Sequence, residues 1–430
     1  MEAIVLVLAL CICGAALYAI YRGVDVRLVL FSAGLLLALL KGLPLAIFDA
    51  FFKTMGEGKI IGPICSAMGF AFVLRATGAD QEMVRLLLAP LQRYRWLLIP
   101  GGCVVGFVTN MAITSQTAAA AAVGPILIPL MLAARFHPLV AAGTLVLGCS
   151  AGGNLFNPGE PDVVNVQQAV NVPVHEVINN IVAPELAGFV VAVMLFILIT
   201  RKFGLIDSDV QSTEHSKPIN YLKALLPPLP VAIVFACLPQ FGLFPELAKL
   251  YPDGLPVSHA MIFSTFVTML VVRKDISPLT KQFFEGLGYG YVHVISLIIA
   301  ASCFIKGLET VGLITALVGA ISGNQLVGNI MSLFSPLGLA VLSGSGTAPS
   351  VSFSKAVLPQ LTQSMGVPTA LDAGTLGAIG ATFGRTMSPV AAIVIFTSTL
   401  CNVPPKDIVK SLAVPLLVGA VVALVVVMML

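Results

Sequence analysis

The chain has 430 residues, of which 58% are hydrophobic and only 10% charged, and its mean hydropathy is +1.00. These proportions exclude a soluble globular domain and predict an all-α polytopic protein embedded in the lipid bilayer. The formal net charge of +3 leaves no nucleic-acid footprint, because the basic residues sit between apolar segments and not on one face.

In chain order, windows of about 19 apolar residues predict crossings near 3–21, 28–47 and 60–75, a broken one over 138–165, and one over 177–200. The first carries Glu2 before it and Arg22 after it, with neither a basic leader nor a small-residue cleavage site, so it reads as a retained membrane helix. The polar stretch 201–221 reads as a cytoplasmic linker. Further crossings fall near 222–243, 257–272 and 290–305, with a broken one over 369–398 and a last one over 405–428. Two segments, 97–131 and 326–360, are too long for one span and polar in the middle. They read as re-entrant hairpins, which are tolerated only where protein or a water-filled cavity shields the backbone. All eight cysteines lie in apolar segments without a Cys-x-x-Cys pair, so no disulfide framework, zinc site or other metal site is indicated.

The chain also repeats itself. Residues 141–158 read AAGTLVLGCSAGGNLFNP and residues 372–389 read DAGTLGAIGATFGRTMSP, 231 positions later without a gap. Phe51-Phe52 returns as Phe283-Phe284 at an offset of 232, and Ala122-Val123-x-Pro125 as Ala356-Val357-x-Pro359 at 234. A nearly constant offset predicts two repeats, 1–200 and 222–430. Five crossings per repeat is an odd number, so the second must be inverted relative to the first. With the N-terminus outside, fifteen loop Lys and Arg fall inside and four (Lys53, Lys59, Lys249, Lys306) outside. Lys41, Arg75, Lys355 and Arg385 are then assigned to embedded segments. The positive-inside rule holds throughout, and both termini are expected on the outer face.

Paired interruptions at membrane depth are the sequence pointer to a secondary transporter's midplane site. The first hairpin tip offers Asn110, Thr114, Ser115 and Thr117, and the second Ser345, Gly346 and Thr347. A tip aims the backbone N–H groups of the following half-helix into the cavity, where they favour an anion. The competing reading is that these small residues merely permit tight helix packing. The breaks add Asn154 and Asn157 in the first copy, and Arg385, Thr386 and Ser388 in the second. An arginine at mid-depth costs at least ~2.5–3.5 kcal/mol on insertion scales, so its default reading is functional. Its planar guanidinium suits a carboxylate; the alternative is an ion pair with Glu160 or Asp162. Those two acids are candidate coupling-ion groups for H⁺ or Na⁺, or simply first-turn acids of a restarting helix. Lys355 reads either as a second cationic contact or as a snorkelling side chain. His293 reads as a hydrogen-bonded interior residue or, alternatively, as a proton carrier, and Tyr289, Tyr291, Tyr94 and Trp96 as an interfacial belt.

Three motifs carry a resemblance: Gly344-Ser345-Gly346-Thr347-Ala348-Pro349, Gly384-Arg385-Thr386-Met387-Ser388-Pro389-Val390, and Asp407-Ile408-Val409-Lys410-Ser411-Leu412-Ala413-Val414-Pro415. Together they resemble the C4-dicarboxylate carriers of the DcuC type, within a superfamily of inverted-repeat ion transporters. The resemblance implies a carrier of the bacterial inner membrane, not an enzyme, moving small dicarboxylate anions such as succinate, fumarate or malate by symport, antiport or efflux. It points to Ser345, Gly346, Thr347, Arg385, Thr386 and Ser388 as ligand contacts, and it is compatible with a homodimer. No cofactor is implied beyond Na⁺ or H⁺ as coupling ion. The run from Gly153 to Asp162 is more polar and acidic than that family's pattern. A sodium/proton antiporter using Glu160 and Asp162 is the rival reading; no catalytic constellation favours an enzyme.

Overall fold

A computed structural model describes residues 2–22, 24–90, 97–200, 219–239, 243–252, 254–272, 276–314 and 324–430. Most of the expected linker (201–218), together with Arg93, Tyr94, Arg95, Trp96, Arg273 and Lys274, lies outside the described residues. Among the described residues there is no strand.

The first part of the chain forms α1 (Glu2–Tyr21), α2 (Val26–Leu40), α3 (Leu45–Met55), α4 (Gly58–Thr77) and α5 (Ala79–Leu88). It continues through α6 (Leu98–Ala112), α7 (Gln116–Ala133), α8 (Pro138–Ser150), a 3-10 turn (Gly153–Phe156), α9 (Pro161–Val170) and α10 (Val174–Thr200). The second part holds α11 (Tyr221–Ala224), α12 (Leu229–Ala236), α13 (Pro245–Leu250) and α14 (Val257–Val272). There follow α15 (Ile276–Gly290), a π-helical turn (Tyr291–Ile295), α16 (Ser296–Thr310), α17 (Gln325–Ser343) and α18 (Thr347–Met365). The last helices are α19 (Val367–Thr386), α20 (Ala392–Cys401) and α21 (Pro405–Met429).

Among the described residues, seven helices or continuous helical stretches are long and apolar enough to cross a bilayer: 58–77, 116–133, 138–170, 174–200, 276–310, 325–343 and 405–429. Shorter apolar helices lie between them, and large apolar side chains such as Met194, Leu198, Phe263 and Phe266 are exposed on the outer surface. The protein is a multi-pass membrane protein.

Three expected crossings differ in detail. The one near 28–47 ends at Leu40, and Lys41, expected in the membrane, is exposed in the turn before the separate helix α3. Arg75 is likewise exposed, in the last turn of α4. The segment 222–243 is divided between α11 and α12, because Pro227 and Pro228 remove backbone donors between them. The crossing near 290–305 is part of a continuous helical stretch from 276 to 310, with the π-turn inside it.

Helices meet where small residues let backbones touch, the usual solution in a membrane. Helix α6 lies on α8, and a Cβ on Gly106 would come within 2.7 Å of the Gly148 carbonyl carbon. Gly188 of α10 meets Gly419 of α21 at a similar 2.8 Å. Gly380 and Gly384, one turn apart on α19, leave room for the carbonyls of Leu333 and Leu337 on α17. These pairs draw α6–α8, α9, α10 and α17–α21 into one apolar core, within which the first break is fully buried.

Candidate functional site

The first hairpin turns through residues 113–115 between α6 and α7. Asn110, fully buried in the last turn of α6, donates from Nδ2 to the carbonyls of Ile113 (3.1 Å) and Thr114 (3.5 Å). Its Oδ1 accepts from the Asn154 N–H at 3.0 Å, which ties the first tip to the first break. Ser115 caps α7 by accepting from the Ala118 N–H at 3.4 Å. Thr117 is half-buried just beyond the tip.

The first break starts where α8 ends at Ser150. Gly152 takes φ +94°, a conformation that favours glycine, and the chain winds through the 3-10 turn before Pro161 opens α9. Asn157 donates to the Met111 carbonyl (2.9 Å) and accepts from the Gly159 N–H (2.9 Å). Asn154 Nδ2 donates to Glu160 Oε1 at 2.8 Å. Four buried oxygens are left without a partner: Asn154 Oδ1, Glu160 Oε2 and both carboxylate oxygens of Asp162. Ser350 on α18 stands near Asp162, yet no hydrogen bond closes between them.

The second tip, residues 344–346, is held by Ser343, whose Oγ accepts from the Ser345 N–H (3.3 Å) and donates to the Ser345 carbonyl (3.2 Å). At the second break the Thr386 hydroxyl bonds the Ser150 hydroxyl at 2.8 Å and the Ser150 carbonyl at 3.0 Å. The two broken helices therefore meet end against end. Arg385 is buried beside this junction and donates from Nη2 to the Ser150 carbonyl at 3.4 Å, while its Nε has no acceptor. Its Nη1 lies against Gly346, where a Cβ would come within 2.7 Å. No ion pair within 4.0 Å joins Arg385 to Glu160 or Asp162 among the described residues. Ser388 is buried with its hydroxyl unpartnered.

A cavity of about 140 Å³ opens where these elements converge. Thr114, Ser115 and Gln116 line it from the first tip, Gly159, Glu160 and Pro161 from the first break, and Thr347 from the second tip. It is well below the ~300–1,000 Å³ that hold drug-sized ligands, so it suits a very small one. Four expected site residues thus reach the cavity directly: Thr114, Ser115, Glu160 and Thr347. Asn110, Asn157 and Thr386 spend their polar groups on holding the tips and breaks together. Asp162, Gly346, Arg385 and Ser388 are buried outside the cavity lining, and Thr117 and Ser345 lie outside it too.

The remaining wall comes from Ile64, Met68, Tyr289, His293 and Val294. His293 is therefore not an enclosed residue: it is exposed, on the π-turn, with its ring 4.2 Å from that of Tyr289. The i, i+4 spacing of the two rings was the available signal, since it puts them on one helix face. Lys355 donates to Ser302 Oγ at 3.1 Å and lines a separate cavity of about 490 Å³ with Asp49, Lys53, Glu57, Lys306 and Glu309. One buried acid carried no sequence signal. Glu185, in the middle of α10, has both carboxylate oxygens unpartnered and rests on Gly152 at the start of the first break.

Residues 53–430 match the family of C4-dicarboxylate anaerobic carriers, DcuC. The chain belongs to the DcuC family. Along almost the whole length, it is 24% identical to the anaerobic C4-dicarboxylate transporter DcuC of Escherichia coli K12, covering 96% of this chain and 94% of that one. A probable transporter of the same description from Vibrio cholerae is 26% identical over 85% of this chain and 80% of its own. An uncharacterized transporter from Haemophilus influenzae is 39% identical over 127 residues, 30% of this chain and 88% of its own. Membership in DcuC makes this protein a carrier and not an enzyme.

Proposed function

We propose that this DcuC-family protein is a secondary active transporter of small C4 dicarboxylates across the bacterial inner membrane. It moves them by exchange, efflux or cation symport, alternating access around a midplane site. The observation that carries this is the convergence of both tips and the first break on one small cavity, with Arg385 buried behind the second tip. Hydroxyls of Thr114, Ser115 and Thr347 supply neutral hydrogen bonds to a carboxylate. The guanidinium of Arg385, with Nε free, supplies the positive charge when Gly346 and the tip shift. Glu160 and Asp162, which have more oxygens than donors, are the groups for a coupling H⁺ or Na⁺.

The architecture we infer is a pair of inverted repeats, 1–200 and 222–430, joined by a cytoplasmic linker, with both termini periplasmic. It is supported by the 231-residue offset, by hairpins at 98–133 and 325–365, and by helix breaks after 150 and after 386. Rocking of one repeat against the other would then expose the cavity alternately to each side.

Purified protein in proteoliposomes should take up labelled succinate when the vesicles contain unlabelled succinate or when a cation gradient is imposed. Absence of succinate, fumarate and malate flux, alongside Na⁺/H⁺ exchange in the same vesicles, would replace the carrier reading with an antiporter.

A further inference from the structure

The polar network of tips and breaks leaves Glu185 unexplained. It lies in the middle of the 27-residue helix α10, immediately after Pro184, and is 0% exposed. Neither oxygen has a donor. The carboxylate fills the space that a side chain on Gly152 would need, so a Cβ there would collide with Oε1. Gly152 is the residue whose positive φ turns α8 into the break, and two positions on, Asn154 holds both Asn110 and Glu160. Glu185 thus touches the backbone that positions the cavity's acid, without lining the cavity itself.

Charged and titratable groups on every element packed against α10 can be placed. Helix α21 carries Lys406, Asp407 and Lys410, but Gly188 meets Gly419, and positions 410 to 419 span about 14 Å of helix. Helix α19 carries Asp372, which bonds Asn180, and Arg385, whose Nη2 bonds the Ser150 carbonyl. Helix α9 carries Asp162, α6 carries Cys103 with its thiol on the Thr144 carbonyl, α8, whose Gly143 packs on Phe196, carries the buried Cys149, and the 3-10 turn carries none. On α10 itself, His175 and Glu176 sit two to three turns away. None of them is a hydrogen-bond or ion-pair partner of Glu185. A bare carboxylate in such surroundings is far costlier than its protonated form, because an isolated buried charge neutralises itself rather than stay unpaired.

Resting on the carrier reading above, we propose that Glu185 is a proton-binding site of the transport cycle. In the conformation described, an O–H bond on the Glu185 carboxyl keeps it neutral against Gly152. Release of that proton to water on the other side of the membrane leaves a carboxylate that the apolar contact cannot hold. The first break must then move, carrying Asn154 and Glu160 with it. The proton taken from water on one side is the proton given up on the other, so no further reactant is needed.

Two readouts on wild type and Glu185→Gln test this, because glutamine copies the shape of the protonated acid. In infrared difference spectra at neutral pH, wild type minus variant should show the C=O stretch of a protonated carboxyl. A carboxylate band in its place overturns the proposal, as does failure of the variant to fold. In proteoliposomes, an inward proton gradient should stimulate wild-type succinate uptake, and the ratio of uptake with and without the gradient should fall clearly in Glu185→Gln. An unchanged ratio, or stimulation of the wild type by Na⁺ alone, overturns it as well. Absence of any succinate flux in wild type would instead count against the carrier reading, while the infrared bands would still report on the proton of Glu185.

Discussion

Arg385 brings five N–H donors into the core. Its neighbours use them sparingly: one long bond reaches the Ser150 carbonyl, and Nε has none. A guanidinium held only for structure would be satisfied by carboxylates at bonding distance, and Glu160 and Asp162 stay beyond 4.0 Å. The spare donors fit an anion that arrives and leaves. Replacing Arg385 by Ala should weaken succinate binding by about 2 kcal/mol or more, roughly 30-fold in Kd, as expected for truncating one side of a buried charge pair. Lysine should restore the charge but not the fork, and so recover only part of the affinity. Binding of labelled succinate to detergent-purified variants measures both, with thermal unfolding as a check on folding. Gly346→Ala tests the same contact from the other side. Its Cβ would come within 2.7 Å of Nη1, so affinity should fall in that variant while Arg385 is still present.

The element-scale question is what holds a broken helix in one shape. Asn110 answers for the first: three hydrogen bonds from one side chain fix the tip and tie it to Asn154. At ~0.5–1.5 kcal/mol net per bond, and with buried partners left unsatisfied, Asn110→Ala should destabilise the protein by roughly 2–3 kcal/mol. Transport should fall for succinate, fumarate and malate alike, because the change loosens the frame and not a substrate contact; melting curves and flux ratios check the two halves of this expectation. The helix ends before the turns at 113–115 and 344–346 and after Ser150 and Thr386 fall where the sequence places Gly, Pro and small polar residues inside an apolar run, which interrupt a helix that would otherwise satisfy its own backbone. Less legible is how the polar residues divide their work. Asn110 and Asn157 look like ligand groups in a linear chain, and only three-dimensional neighbours such as Asn154 and Met111 reveal them as struts. Amphipathic α3 merges with α2 in a hydropathy average, which does not register the turn at Lys41 and Gly42. Glu185 is invisible in the sequence because one acid in a long apolar helix repeats nothing and sits in no motif.

For the molecule as a whole, the membrane potential sets the terms. A dianion entering against about 100 mV, inside negative, meets an electrical barrier of roughly 4.6 kcal/mol, at ~2.3 kcal/mol per charge. Net uptake therefore requires at least two accompanying cations merely to cancel that barrier. On the transport reading proposed above, the embedded acids without full complements of partners, Glu160, Asp162 and Glu185, are the candidate places to carry them. Exchange of one dianion for another moves no net charge and needs none. Succinate counterflow at equal concentrations should therefore reach the same final distribution of label whether valinomycin and K⁺ set the vesicle interior negative, neutral or positive. Net uptake without internal substrate should respond to the same potentials according to the cations that travel: slowed by a negative interior with fewer than two, indifferent with two, accelerated with more. A final distribution that shifts with potential would mean that the forms travelling inward and outward differ in charge. The simple picture of a dianion carried in both directions through one cavity would then fail, even if labelled succinate crosses the membrane.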